Sequence, residues 1–215
     1  MREVHKRKKS SIRELILDNI YENLKSYIIV AIIFIIGIVI GVIFINNANN
    51  NQVEEIQSYI NNFINALKQD YYIDKIELMK SSIGDNLILI ISMWFIGSTV
   101  IGIPIVLGIV AFRGFCIGYT VSSIIGTLGT QKGILFLFTT IFLQNLIFVP
   151  VILCMAVSCI KLYKSIMKDK RRENIKIEII RHTLMSIMLL LILIISSLVE
   201  VYISSNLLML CIKIF

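Results

Sequence analysis

Few side chains in this sequence can do chemistry. Only two of 215 residues are histidine, His5 and His182, and each stands alone beside a basic run. They offer no metal-ligand spacing and no catalytic pair. The four cysteines, Cys116, Cys154, Cys159 and Cys211, all fall in apolar stretches and none forms a CxxC pair. They read as small buried hydrophobes. No P-loop, HExxH or GxSxG is present, and no paired-carboxylate site appears in a water-accessible segment. The expectation is therefore no enzyme, no cofactor and no metal. Charge is scarce too: 16% of residues are charged, 57% are hydrophobic and the mean hydropathy is +0.84. A soluble domain of this size must turn far more polar surface to water, which excludes that class.

What remains is a set of long charge-free runs. A helix rises about 1.5 Å per residue, so about 20 apolar residues cross a hydrocarbon core. The runs predict an all-α polytopic membrane helix bundle, a single membrane domain with five transmembrane helices at 27–45, 87–112, 114–130, 133–160 and 183–203. Between them lie a basic tail (1–26), a loop at 46–86, a basic loop at 161–182 and a short tail at 204–215. The first run lacks a convincing A-x-A site behind it, so it reads as an uncleaved anchor. Lysine and arginine fix the expected orientation. Seven occur in 1–26, one at Arg113 and eight in 161–181, against five in 46–86, at Lys132 and at Lys213. Five crossings with the N-terminus inside place sixteen of the twenty-one on the inner side, as the positive-inside rule requires. The loop 46–86 and the C-terminus then lie outside.

Within the spans, small residues recur at helical spacing. Gly114, Gly118, Ser122, Gly126 and Thr130 form a stripe at intervals of four, and the first run carries Gly37 and Gly41. Lipid supplies no hydrophobic force between helices, so close backbone approach must hold them together, and small residues allow it. The stripe predicts a tightly packed helix, against another span or a second copy of the chain in a homo-oligomer. The fourth run holds Gln144, Asn145 and Pro150. Proline lacks an N–H and displaces a carbonyl one turn back, so a kink is expected there. The two carboxamides read as interhelical glue beside that kink, or as a polar site for a solute. Glue is favoured, because no ionisable group accompanies them: Arg113 and Lys132 fall at the expected span boundaries, and Glu200 falls near the outer interface.

The loop 46–86 carries the expected external element. Val53, Ile56, Ile60, Phe63, Ile64 and Leu67 follow helical spacing among polar residues, which predicts an extracytoplasmic amphipathic helix. Its apolar face needs a membrane surface, the protein's own spans or a partner. Glu54, Glu55, Ile56, Ile60, Phe63, Leu67 and Lys68 are the candidates for partner docking. The basic runs "KRKK" at 6–9 and "KDKRR" at 168–172 suit anionic headgroups of the bilayer, and nucleic acid is not an expected partner.

Three segments, "FRGFCIGYTVSSIIG" (112–126), "FLQNLIFVPVIL" (142–153) and "SSLVEVYIS" (196–204), resemble the stage II sporulation protein M family. That family has a glycine-rich third span, an Asn-Leu-x-x-x-Pro-like element in the fourth and a glutamate near the end of the fifth. The family's glutamate is often followed by Thr-Pro, where this chain has "YISSNL". The resemblance implies a non-catalytic membrane scaffold in the mother cell of an endospore-former. It would tether the peptidoglycan hydrolases, stage II sporulation proteins D and P, during forespore engulfment. The alternative from the residues alone is a permease or channel-like subunit of a transporter, which the polar fourth span and glycine-rich third span would suit. The orientation is testable. In a Cys-free background, Lys170→Cys should resist an impermeant thiol reagent in intact protoplasts, and labelling there would overturn the topology.

Overall fold

A computed structural model describes residues 21, 23–69, 74–99, 101–168 and 172–212. Most of the basic tail, Asp70, Tyr71 and Tyr72, much of the 168–172 run and Lys213 lie outside the described residues. The described chain is helical almost throughout: α1 (Leu24–Asn46), α2 (Asn50–Lys68), α3 (Lys75–Gly97), α4 (Gly102–Leu128), α5 (Thr130–Leu137), α6 (Leu143–Lys168), α7 (Arg172–Val199) and α8 (Ser205–Ile212). Two π-turns, Phe138–Phe142 and Glu200–Ser204, join α5 to α6 and α7 to α8. Five stretches are long and apolar enough to cross a membrane: Leu24–Asn46, Lys75–Gly97, Gly102–Leu128, Gln144–Met167 and Ile175–Cys211. The fold is an all-α polytopic bundle. On α1, Ile28, Ile32, Ile35, Ile36, Val39 and Ile43 stay about half exposed, a surface suited to lipid.

The span boundaries differ from the hydropathy reading. The run 87–112 is not one helix: α3 ends at Gly97, a turn follows, and α4 begins at Gly102. The turn is made by local side chains. The Ser98 hydroxyl donates to the Trp94 carbonyl at 2.7 Å, and the Thr99 hydroxyl donates to that of Ile96 at 2.7 Å. The chain then folds back so sharply that a Cβ on Gly102 would collide with the Ile96 carbonyl oxygen. Pro104 sits in the first turn of α4, where a missing N–H forfeits no helical bond. The expected short span 114–130 is therefore the second half of a 27-residue helix. The expected loop 46–86 shrinks, because α3 already starts at Lys75, capped by the Asp74 carboxylate on the N–H groups of Ile76 (2.9 Å) and Glu77 (3.3 Å). The other three spans also lengthen: 27–45 becomes α1, 133–160 lies within α5 to α6, and 183–203 lies within α7 to α8.

The helices α1 and α4 run parallel and touch backbone to backbone. A Cβ on Gly37 would collide with the Ala111 carbonyl, and one on Gly41 with that of Phe115. From the other side, Gly114 meets the Phe34 carbonyl and Gly118 that of Ile38. Such an approach favours dispersion and Cα–H···O contacts, the forces left to helices in lipid. The contact is shorter than the five-residue stripe. Ser122 reaches Asn46 only through a long 3.5 Å bond, and Gly126 has nothing near its missing Cβ, because α1 ends at Asn46. Elsewhere α3, α6 and α7 close the bundle around Val30, Phe34, Ile90, Met93, Val106, Val110, Ile152, Met155 and Leu193, all buried. Trp94 donates to the Thr183 hydroxyl at 3.2 Å, and the Ser158 hydroxyl lies 2.8 Å from Nδ1 of buried His182.

The amphipathic helix α2 begins with a capping box between Asn49 and Gln52 and lies outside the five candidate spans. Ile64 and Leu67 are buried against Ile124, Phe136 and Leu208, so part of its apolar face packs on the protein itself. The glycine contact yields a prediction. Gly118→Leu should lower the stability of the detergent-solubilised protein by about 2 kcal/mol or more, as overpacking against backbone does. Gly126→Leu, facing open space, should melt close to the wild type. Equal melting of the two variants would contradict the contact.

Candidate functional site

Two faces of α4 do different things. Ala111, Gly114, Phe115 and Gly118 face α1, whereas Arg113, Cys116, Ile117 and Thr120 line a cavity of about 440 Å³ on the other side. Both sets follow i, i+3, i+4, i+7 spacing, offset by two residues, which is roughly half a helical turn. The glycine contact therefore fixes the rotation that aims Arg113 into the bundle.

The opposite walls come from α3, α6 and the second π-turn. Ser81, Ser82, Asp85 and Asn86 are contributed by α3, Gln144, Asn145 and Phe148 by α6, and Glu200 by the turn. A hydrogen-bond network joins these elements. Gln144 Nε2 donates to Glu200 Oε2 at 2.7 Å, and the Ser82 hydroxyl donates to the same oxygen at 2.5 Å. Ser82 lies 3.0 Å from the Ser197 hydroxyl, which also accepts from Asn86 Nδ2 at 2.8 Å. Asn86, Ser82 and Ser197 are buried, and in lipid such groups must find partners within the protein. Arg113 stands over the Phe148 ring, with its guanidinium carbon 5.2 Å from the centroid. Neither Arg113 nor Asp85 makes an ion pair among the described residues.

Toward the α2 end the cavity adjoins a second chamber of about 680 Å³, sharing Leu78, Ser81, Thr120, Ile141 and Glu200 as walls. That chamber reaches Asp74 and Glu77 at the start of α3 and Phe63 and Leu67 on α2. A third, of about 640 Å³, lies between α2 and the end of α4, lined by Phe44, Ile56, Tyr59, Ile60 and Tyr119. Toward the other end Phe148 closes the floor, and beyond it Met93, Val110, Ile152 and Met155 are packed to 1% exposure or less.

These positions revise several expectations. Arg113 is not at a span boundary but near the middle of α4, and Asp85 lies well inside α3 and outside no span. Glu200 lies within the candidate span Ile175–Cys211, with the helical rod continuing past it to Ile212 and its carboxylate turned into the bundle. The fourth span thus does have ionisable company. Gln144 serves Glu200 and not a proline-freed carbonyl. Asn145 Nδ2 donates to the Ile141 carbonyl at 2.9 Å, in the first π-turn. Pro150 sits inside α6 on an exposed face. Among the docking candidates, Leu67 is buried, Ile56 and Ile60 are half-buried and line the third chamber, and Phe63 is 45% exposed. Glu54, Glu55 and Lys68 are exposed. Asp85, Ser82 and Asn86 fall in the expected loop and Arg113 at an expected boundary because a charge marks an edge in a hydropathy reading, whereas Ser197 is an uncharged residue inside an expected span with nothing to single it out. The available signal was spacing: Leu78, Ser81, Ser82, Asp85 and Asn86 recur at helical intervals, as do Arg113, Cys116, Ile117 and Thr120.

The model of one family, stage II sporulation protein M, matches residues 30–205. The chain belongs to the stage II sporulation protein M family. The match runs from α1 into the start of α8, and so includes the glycine contact and every helix that walls the vestibule. No curated protein and no solved structure matches the chain. Membership makes this a sporulation membrane protein, and the three segments "FRGFCIGYTVSSIIG", "FLQNLIFVPVIL" and "SSLVEVYIS" that carried the resemblance contribute Arg113, the Gln144–Asn145 pair and Glu200 to one cavity.

Proposed function

We propose that this stage II sporulation protein M family member is a non-catalytic scaffold. In this reading it lies in the mother-cell membrane and tethers peptidoglycan hydrolases, stage II sporulation proteins D and P, during engulfment. The observation that carries the reading is the state of α2. It is a sizeable amphipathic helix outside the candidate spans, on the side that the distribution of basic residues assigns to the cell wall. Only part of its apolar face is committed to the bundle, through Ile64 and Leu67 with Ile60 partly packed beside them. Tyr59 is 75% exposed, and Ile56, Ile60 and Phe63 border open chambers, as a helix prepared for a partner would leave them. A tether needs no reactive group, because holding partners together raises their effective concentration by itself.

The polar vestibule is what favours the rival reading, a permease or channel-like subunit. A solute entering there would have to pass the core at Met93, Val110, Ile152 and Met155, which is packed shut. The scaffold reading is tested on the exposed side of α2. Reversing the charges of Glu54, Glu55 and Lys68 should leave the fold intact, since exposed charges contribute little to stability. Copurification of the two hydrolases from sporulating cells should fall about tenfold, as loss of electrostatic complementarity does. Unaltered capture by abundant charge-reversed protein would move docking away from α2.

A further inference from the structure

The vestibule contains polar groups that the protein leaves incomplete. Asp85 turns an exposed carboxylate to its wall with no hydrogen bond or ion pair among the described residues. Glu200 accepts two donors on Oε2, from Ser82 and Gln144, and none of the described residues donates to Oε1. Ser204, 5% exposed, lines the adjoining chamber, and its Oγ has no hydrogen-bond partner. Both Glu200 and Ser204 belong to the second π-turn, a distortion that often re-aims groups at binding sites. Against these acceptors stands one cation, Arg113. Two carboxylates face one guanidinium, so the vestibule wall has room for a further cation, which would pair with a carboxylate through charge-assisted hydrogen bonds.

The walls say what kind of cation. The chamber beside Glu200 is lined by Phe63, Leu67, Ile124, Phe136 and Leu208, which offer apolar surface to a methylene stem. Asp74 and Glu77 stand at its α2 end and attract positive charge toward it. A primary ammonium has three donors and no acceptor, which suits the carboxylates of Asp85 and Glu200 on the vestibule wall. We propose that the vestibule is a receptor for a lysine side chain carried on an apolar segment of another protein, with Asp85 and Glu200 as its counter-ions. This rests on the scaffold reading for there being a protein partner on the α2 side, and on charge complementarity for the chemistry of what enters.

The test uses the full-length protein in nanodiscs and a short capped peptide of alternating leucine and serine with one central lysine. Its counterpart carries norleucine in place of the lysine, and binding is followed by calorimetry at an ionic strength set by N-methylglucamine chloride. The lysine peptide should bind at least about tenfold more tightly than the norleucine peptide. Asp85→Asn, which removes a group with no partner to lose, should shrink that preference several-fold, and Glu200→Gln should shrink it further. Arg113→Gln should strengthen lysine binding, because it deletes a repelling charge; a merely structural vestibule would show no such rise. Equal binding of the two peptides, or a lysine preference unchanged in Asp85→Asn, overturns the proposal. If sodium replacing N-methylglucamine at equal ionic strength weakens the lysine peptide more than about tenfold, the occupant is a free monovalent cation and the lysine assignment falls. Capture of the two hydrolases, scored on the same preparations, separates this proposal from the scaffold reading. Normal capture without a lysine preference sinks the receptor alone. A lysine preference in a wild-type protein that captures neither hydrolase sinks the scaffold reading and upholds the receptor.

Discussion

Close backbone contact between α1 and α4 is the constraint on which the rest of this bundle depends. Helices in lipid gain nothing from leaving it, so they associate through dispersion at short range and through hydrogen bonds. Gly37 and Gly41 on one helix and Gly114 and Gly118 on the other remove the side chains that would hold the axes apart. The consequence reaches beyond packing. A helix clamped along Ala111, Gly114, Phe115 and Gly118 cannot rotate, so Arg113, Cys116, Ile117 and Thr120 are held facing the opposite side. The same four glycines that join the helices thus keep a guanidinium in the interior instead of in lipid, where its cost would be far higher.

The polar interior is built from groups that satisfy one another only in part. Serine and carboxamide side chains tie α3 to α7 through Ser82, Asn86 and Ser197, and Gln144 ties α6 to Glu200. These bonds cross between helices, and each is worth about 0.6 kcal/mol on average in a membrane. Below them the bundle is dry and tightly packed around Met93, Val110, Ile152 and Met155. A polar chamber thus stands above an apolar seal.

Much of the fold is legible in the sequence because hydropathy is a direct physical requirement of the bilayer. Five runs of about 20 apolar residues admit few other architectures. The amphipathic character of α2 and the packing role of Gly37, Gly41, Gly114 and Gly118 follow from spacing alone. Which helix each glycine meets does not, since an interval of four says only that a face is small. The break between α3 and α4 is hidden because Gly97 to Gly102 carries no charge; it is set by the Ser98 and Thr99 hydroxyls and the space at Gly102. The site was concealed for the converse reason. Asp85, Arg113 and Glu200 are charged, and in a hydropathy reading a charge marks an edge. In the bundle each faces a cavity walled by other helices, a circumstance that only tertiary packing creates.

The central claim is that α4 presents a clamped face to α1 and a solvated polar face to the vestibule. Single-cysteine reactivity along α4 toward a small charged thiol reagent, in an otherwise Cys-free protein in nanodiscs, measures this directly. The account predicts rapid reaction at Cys116, at Ile117→Cys and at Thr120→Cys. It predicts protection at Val106→Cys and Val110→Cys in the dry core and at lipid-facing Phe112→Cys. Uniform protection along the helix, or reaction at Val110→Cys as fast as at Thr120→Cys, would contradict it.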